Sequence, residues 1–198
     1  MLSIVVCYGP ITNLSAAEPV IVVLGDSLSA GYNIEPNQGW VAELQRRLTE
    51  EGYPYRVVNA SISGETTRGA LARLDGLLSE HRPAIVIVEL GGNDVLRGLA
   101  LEEIRKNLSQ IIQRSKQQGA RLLLIEMQLP SNYGPIYTKR FQKLFDELVR
   151  DYAIATAPFI LNGIADRPEL MQEDGIHPRV EAQHLMLNNV WPALAQLM

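Results

Sequence analysis

From Val20 to the C-terminus, short apolar runs rich in β-branched residues alternate with amphipathic stretches, and that alternation confines the chain to a parallel sheet wrapped by helices. Val20 to Leu24, Arg56 to Asn59, Ala84 to Leu90 and Arg121 to Met127 read as strands, and a weaker fifth lies near Ala155 to Ile160. Between them Leu71, Leu74, Leu77 and Leu78 recur at helical spacing. Ile104, Leu108, Ile111 and Ile112 do the same, as do Phe141, Leu144, Phe145 and Leu148. Each stripe marks the core-facing side of a helix. Gly119 fits a helix C-terminus, and Pro178 fits the first turn of a last helix holding Leu185, Val190 and Leu194. The 198 residues suit one domain, and no linker, repeat or low-complexity segment divides them.

Composition narrows the function classes. Basic residues number 18 against 22 acidic ones, for a net charge of −4, with no Lys or Arg cluster that would attract a polyanion. Nucleic acid is therefore not an expected partner. No apolar run approaches the about 18 residues a membrane-spanning helix needs. Residues 1–17 differ from the rest: Leu2 to Cys7 is a short apolar stretch, and Ser15, Ala16 and Ala17 are small residues before Glu18. This reads as the end of a secretory leader cut after Ala17, although no positive charge precedes Arg46 and Pro10 interrupts the apolar stretch. The expectation is a leader over 1–17 and a domain over 18–198, in a periplasmic or secreted protein. The alternative is a disordered tail on a cytoplasmic one. The single cysteine, Cys7, allows no intramolecular bridge and would leave with the leader.

In an open parallel sheet, ligands bind beyond the carboxyl ends of the strands. The segment after the first strand is Gly25-Asp26-Ser27-Leu28-Ser29-Ala30-Gly31, that after the second contains Ser63-Gly64-Glu65-Thr66-Thr67, and that after the third is Gly91-Gly92-Asn93-Asp94. Asp174-Gly175-Ile176-His177-Pro178 lies near the C-terminus. Ester hydrolysis through a covalent intermediate needs a nucleophile, a base, an orienting acid and donors for the developing oxyanion. Ser27 can be the nucleophile, His177 the base and Asp174 the orienting acid. The Ser27 and Gly64 backbone N–H groups and the Asn93 amide can be the donors. Each segment alone is also an ordinary turn sequence; what raises the functional reading is their arrival in order at element boundaries.

The ordered set Ser27, Gly64, Asn93 and His177 resembles the SGNH or GDSL hydrolase superfamily. Together with Leu129-Pro130-Ser131-Asn132-Tyr133-Gly134, the segments are similar to the bacterial branch of thioesterase I, arylesterase and lysophospholipase. The resemblance implies a flavodoxin-like three-layer α/β/α sandwich with a parallel sheet of about five strands. It also implies a Ser27, His177 and Asp174 triad, an oxyanion hole from Ser27, Gly64 and Asn93, and no cofactor or metal. The expected protein is a monomeric serine esterase acting on small acyl esters or thioesters. Leu28, Leu96, Leu99, Met127, Leu129 and Pro130, all on the same expected edge, are candidates for lining an acyl groove or for capping the core. The segment Val95 to Leu99 is expected to be a moving loop. A carbohydrate acetyl esterase of the same superfamily is an alternative, and a non-catalytic flavodoxin-like binding domain a weaker one. The chain lacks Gly-x-x-x-x-Gly-Lys-Ser/Thr and Gly-x-Gly-x-x-Gly phosphate loops and the His-Glu-x-x-His metal motif.

Overall fold

The computed structural model describes residues 18–198, and the expected leader lies outside them. Strands β1 (Val20–Gly25), β2 (Arg56–Asn59), β3 (Ile85–Glu89), β4 (Arg121–Ile125) and β5 (Ala155–Ala157) form a parallel sheet in the order β2-β1-β3-β4-β5. Successive side chains of a strand point to opposite faces. Ile21, Val23, Ile85, Ile87, Leu123 and Ile125 therefore join one core cluster, and Leu24, Val86, Val88, Leu122 and Leu124 the other. Helices α2 (Trp40–Glu50) and α7 (Gln183–Ala195) cover the first face with Trp40, Leu44, Leu48, Met186 and Val190. Helices α3 (Thr67–His81), α5 (Leu101–Gln117) and α6 (Pro135–Tyr152) cover the second with Leu74, Ile104, Leu108, Phe141 and Phe145. The result is the expected three-layer α/β/α sandwich.

The strand order places the turning point of the winding between β1 and β3. The β1-to-β2 crossover carries α2 on one face, whereas α3, α5 and α6 cross on the other. Chain ends leave β1 and β3 in opposite directions there, and the crevice between them is where such sheets hold ligands. Two short helices sit at this point, α1 (Ser27–Ala30) directly after β1 and α4 (Gly92–Leu96) after β3.

Three expectations need correction. Pro178 is not in the last helix: it pairs with Met171 in an antiparallel bridge, and α7 starts only at Gln183. A bridge position whose N–H is not needed suits proline as well as a helix start does. The segment expected to be a mobile loop after Asn93 begins as helix, because Val95 is buried and Leu96 ends α4; only then does Gly98 turn the chain with φ 72°. Strand β4 stops at Ile125, so Met127 belongs to the loop beyond it.

Candidate active site

Helix α1 starts where β1 ends because Asp26 caps it, with Oδ1 accepting the Leu28 N–H at 3.1 Å. As the first residue of that helix, Ser27 has an N–H with no intrahelical acceptor. Gly31 closes the helix in the left-handed region, φ 77°, and donates to the Ser27 carbonyl at 3.2 Å. The Ser27 Oγ lies 2.8 Å from His177 Nε2, and His177 Nδ1 lies 2.7 Å from Asp174 Oδ2. With the carboxylate ionised, this line fits the tautomer in which Nδ1–H donates to Asp174 and Nε2 accepts from the serine hydroxyl.

The His177 loop is built from its own backbone. Asp174 Oδ1 accepts from the Ile176 N–H at 2.9 Å and the His177 N–H at 3.0 Å. These bonds, led by the one from the His177 N–H, hold the Asp174 carboxyl down at a pKa of about 2. Gln172 N–H donates to the His177 carbonyl and Arg179 N–H to the Leu170 carbonyl, both at 2.7 Å, on either side of the Met171–Pro178 bridge. Tyr32 lies against the imidazole with ring centroids 4.3 Å apart, and Gln172 Nε2 ties the Tyr32 carbonyl to the loop at 2.9 Å.

Gly64 has φ 76°, a conformation that a residue with a Cβ adopts only under strain. Its loop is fastened to the end of β1 by the Ile62 N–H donating to the Gly25 carbonyl at 3.1 Å. Arg97, just past α4, donates from Nη2 to the Gly64 carbonyl at 2.7 Å. Asn93, in α4, donates from Nδ2 to Asp26 Oδ2 at 3.0 Å, so the side chain stands beside the start of α1. Next to it, buried Asp94 accepts from the Thr67 N–H at 2.9 Å and the Thr67 hydroxyl at 2.5 Å, joining α4 to the first turn of α3.

Ser27, His177 and Asp174 are thus brought into one hydrogen-bonded line; Asn93 is tied to Asp26, and the loop bearing Gly64 is tied to Gly25 through Ile62. The apolar candidates do not share one surface. Leu28 and Met127 are packed into the two core clusters. Leu99 and Leu129 are half-buried, while Leu96 and Pro130 are exposed. Among the described residues no cluster of His, Cys, Asp and Glu is arranged to hold a metal ion. Sequence reasoning assigned nothing to Tyr32, Arg97, Asp94 and Gln172. Tyr32 and Asp94 lie inside or beside the quoted motifs, whereas Arg97 and Gln172 carry no local signal.

The arrangement can remove a serine proton and hold the resulting imidazolium beside a carboxylate. Residues 23–185, which include every segment just described, match the GDSL-like lipase/acylhydrolase family. The chain belongs to that family of hydrolases. This GDSL-like hydrolase is 49% identical over 183 residues to esterase TesA of Pseudomonas aeruginosa, spanning 92% of the chain and 91% of the relative. It is 41% identical over 173 residues to thioesterase 1/protease 1/lysophospholipase L1 of Escherichia coli K12, spanning 87% and 82%. Its fold superposes with a TM-score of 0.86 on the crystal structure of psychrotrophic esterase EstA from Pseudoalteromonas, inhibited by monoethylphosphonate. That match is at 38% identity, over 89% of this chain and 97% of the other.

Proposed function

We propose that this GDSL-like hydrolase cleaves carboxylic esters and thioesters of acyl chains through an acyl-enzyme on Ser27. The observation that carries the proposal is the line from Asp174 through His177 to Ser27, at 2.7 and 2.8 Å. In this reading the Ser27 Oγ attacks the acyl carbonyl carbon while Nε2 of His177 takes the hydroxyl proton. Asp174 stabilises the imidazolium and keeps the ring oriented. The oxyanion is met by the Ser27 and Gly64 N–H groups and by Nδ2 of Asn93, each such donor contributing on the order of 3 kcal/mol to the transition state. His177 then protonates the leaving alcohol or thiol. Water, deprotonated by the same imidazole, releases the acid and restores Ser27. None of these steps requires a cofactor.

The names of the relatives, esterase, thioesterase and lysophospholipase, support this substrate class. Exposed Leu96 and half-buried Leu99 and Leu129 put apolar surface in the segments that follow β3 and β4, which suits an acyl chain better than an acetylated sugar. Residues 1–17 fit a cleaved leader and so a periplasmic or secreted protein; among the described residues no helix is long and apolar enough to cross a membrane. The test is Ser27→Ala. It should keep the fold by circular dichroism, lose covalent labelling by a fluorophosphonate and lose nearly all turnover of p-nitrophenyl esters. Undiminished turnover would remove Ser27 as the nucleophile.

A further inference from the structure

Directly beneath the nucleophile lies a carboxyl that the mechanism above does not use. Glu89, the last residue of β3, is fully buried and pairs in register with Gly25. Its Oε2 accepts from the Ser29 hydroxyl at 2.7 Å and from the Asp26 N–H at 3.4 Å, so it holds the backbone on both sides of Ser27. A Cβ on Gly25 would stand 2.7 Å from the Ser29 side chain and 2.9 Å from Glu89 Oε2. The glycine of the Gly-Asp-Ser segment is thus required by the room this carboxyl occupies. The other oxygen, Oε1, is buried without a partner among the described residues. A buried carboxyl left half-unsatisfied costs stability, and what it gives in return is local: the two bonds that hold the segment around Ser27.

Asp26, also buried, divides its two oxygens between tasks. Oδ1 caps α1 through Leu28, and Oδ2 accepts one of the two N–H bonds of the Asn93 amide. A carboxylate serves both; an amide or a hydroxyl in its place has one acceptor too few. Because Oδ2 takes one amide hydrogen, the second is aimed away from Asp26 and the amide is fixed against a flip that would present its oxygen instead.

We propose that Asp26 and Glu89 are positioning residues of the oxyanion hole, Asp26 by fixing the Asn93 amide and Glu89 by fixing the Asp26–Ser29 segment. This rests on the acyl-enzyme reading above. Burial drives Glu89 well above the ordinary carboxyl range, and the neighbouring Asp26 carboxyl acts in the same direction. Burial also raises Asp26 itself to about 6, opposed by the Leu28 N–H, by His177 and by the Asn93 amide and assisted by the Asp94 charge.

The test is a double-mutant cycle on kcat for a p-nitrophenyl ester. Asp26→Asn, nearly isosteric, should lower kcat about ten- to a hundredfold with KM within about twofold. Its melting temperature should be no lower than that of the wild type. On an Asn93→Ala background the same substitution should cost less than about threefold, because the group it positions is gone. Glu89→Leu, which removes the acceptor of the Ser29 hydroxyl and the Asp26 N–H, should lower kcat severalfold at unchanged KM, whereas Glu89→Gln, whose carbonyl oxygen can accept both, should stay near the wild type. If Asp26→Asn does not fold, Asp26→Ser, which keeps a helix cap but is too short to reach Asn93, carries the same expectation. An equal cost of the Asp26 substitution with and without Asn93, or a change confined to KM, overturns the proposal. So does full kcat in Asp26→Asn. Ser27→Ala assayed alongside separates the two readings: activity in that variant defeats the acyl-enzyme, whereas an inactive Ser27→Ala beside an unaffected Asp26→Asn defeats only the positioning role.

Discussion

Asp174 accepts two backbone N–H groups and the His177 ring nitrogen, all from within three residues of itself, and this local cage keeps its carboxyl ionised down to about pH 2. The charge proposed to orient His177 is consequently present at every pH at which the protein would be assayed. Replacing it with an amide of the same shape turns an acceptor into a donor facing Nδ1, which favours the tautomer with its proton on Nε2. That ring cannot take the serine proton. Asp174→Asn should therefore reduce kcat by roughly two to four orders of magnitude, measured on a p-nitrophenyl ester, while urea unfolding stays near the wild type. A loss under tenfold would remove Asp174 from the triad. At this scale the sequence is legible wherever partners are close along the chain, as in Asp174 and His177, or sit in a recognisable block, as Ser27 does. It is silent on Glu89 and Ser29, which are separated by 60 positions and meet only because β1 and β3 are neighbours.

At the scale of elements, the strands could be read because β-branched runs have few alternatives to a buried strand. The ends could not, since Met127 is as apolar as the strand before it yet belongs to the following loop. Helix α2 lay open to the same 3.6-residue reading, with Trp40, Val41, Leu44 and Leu48 all buried, but it falls in a stretch with a polar, glycine- and proline-containing lead-in. Pro178 misleads for a different reason: both a helix start and a bridge beside a loop tolerate its missing N–H, and only pairing with Met171 decides between them. The loop after β4 carries the main prediction here. Half-buried Leu129 packs against the core under α6 and leaves the rest of its surface free beside exposed Pro130. If it lines the acyl groove, each methylene it covers contributes up to ~0.8 kcal/mol, and kcat/KM should climb severalfold per two-carbon step of the substrate. Leu129→Asn should flatten that climb, lowering activity on octanoyl far more than on acetyl esters. Equal losses along the series would make Leu129 a residue of the fold alone.

For the whole molecule, two carboxyls buried at the carboxyl ends of β1 and β3 set how stability follows pH. Asp26 has a folded-state pKa of about 6 against an ordinary 3.8, so between these values the folded protein holds a proton that the unfolded chain has released. Stability then falls as pH rises through that window, by on the order of 3 kcal/mol for this group, and the loss is complete above about pH 6. Glu89, raised by the same burial, acts in the same direction. Urea midpoints should therefore be higher near pH 4.5 than near pH 7, and Asp26→Asn should remove much of the difference. A wild-type midpoint that rises steadily with pH would contradict the buried-charge account. The loop bearing His177 reaches Ser27 with its ring but is held by other bonds. It is closed largely by hydrogen bonds within residues 170–179 and by the tie to Tyr32, and Glu173 to Ile176 are exposed. Durability and competence are thus vested in different stretches of chain: a substitution that loosens residues 170–179 should cost turnover long before it costs the sheet.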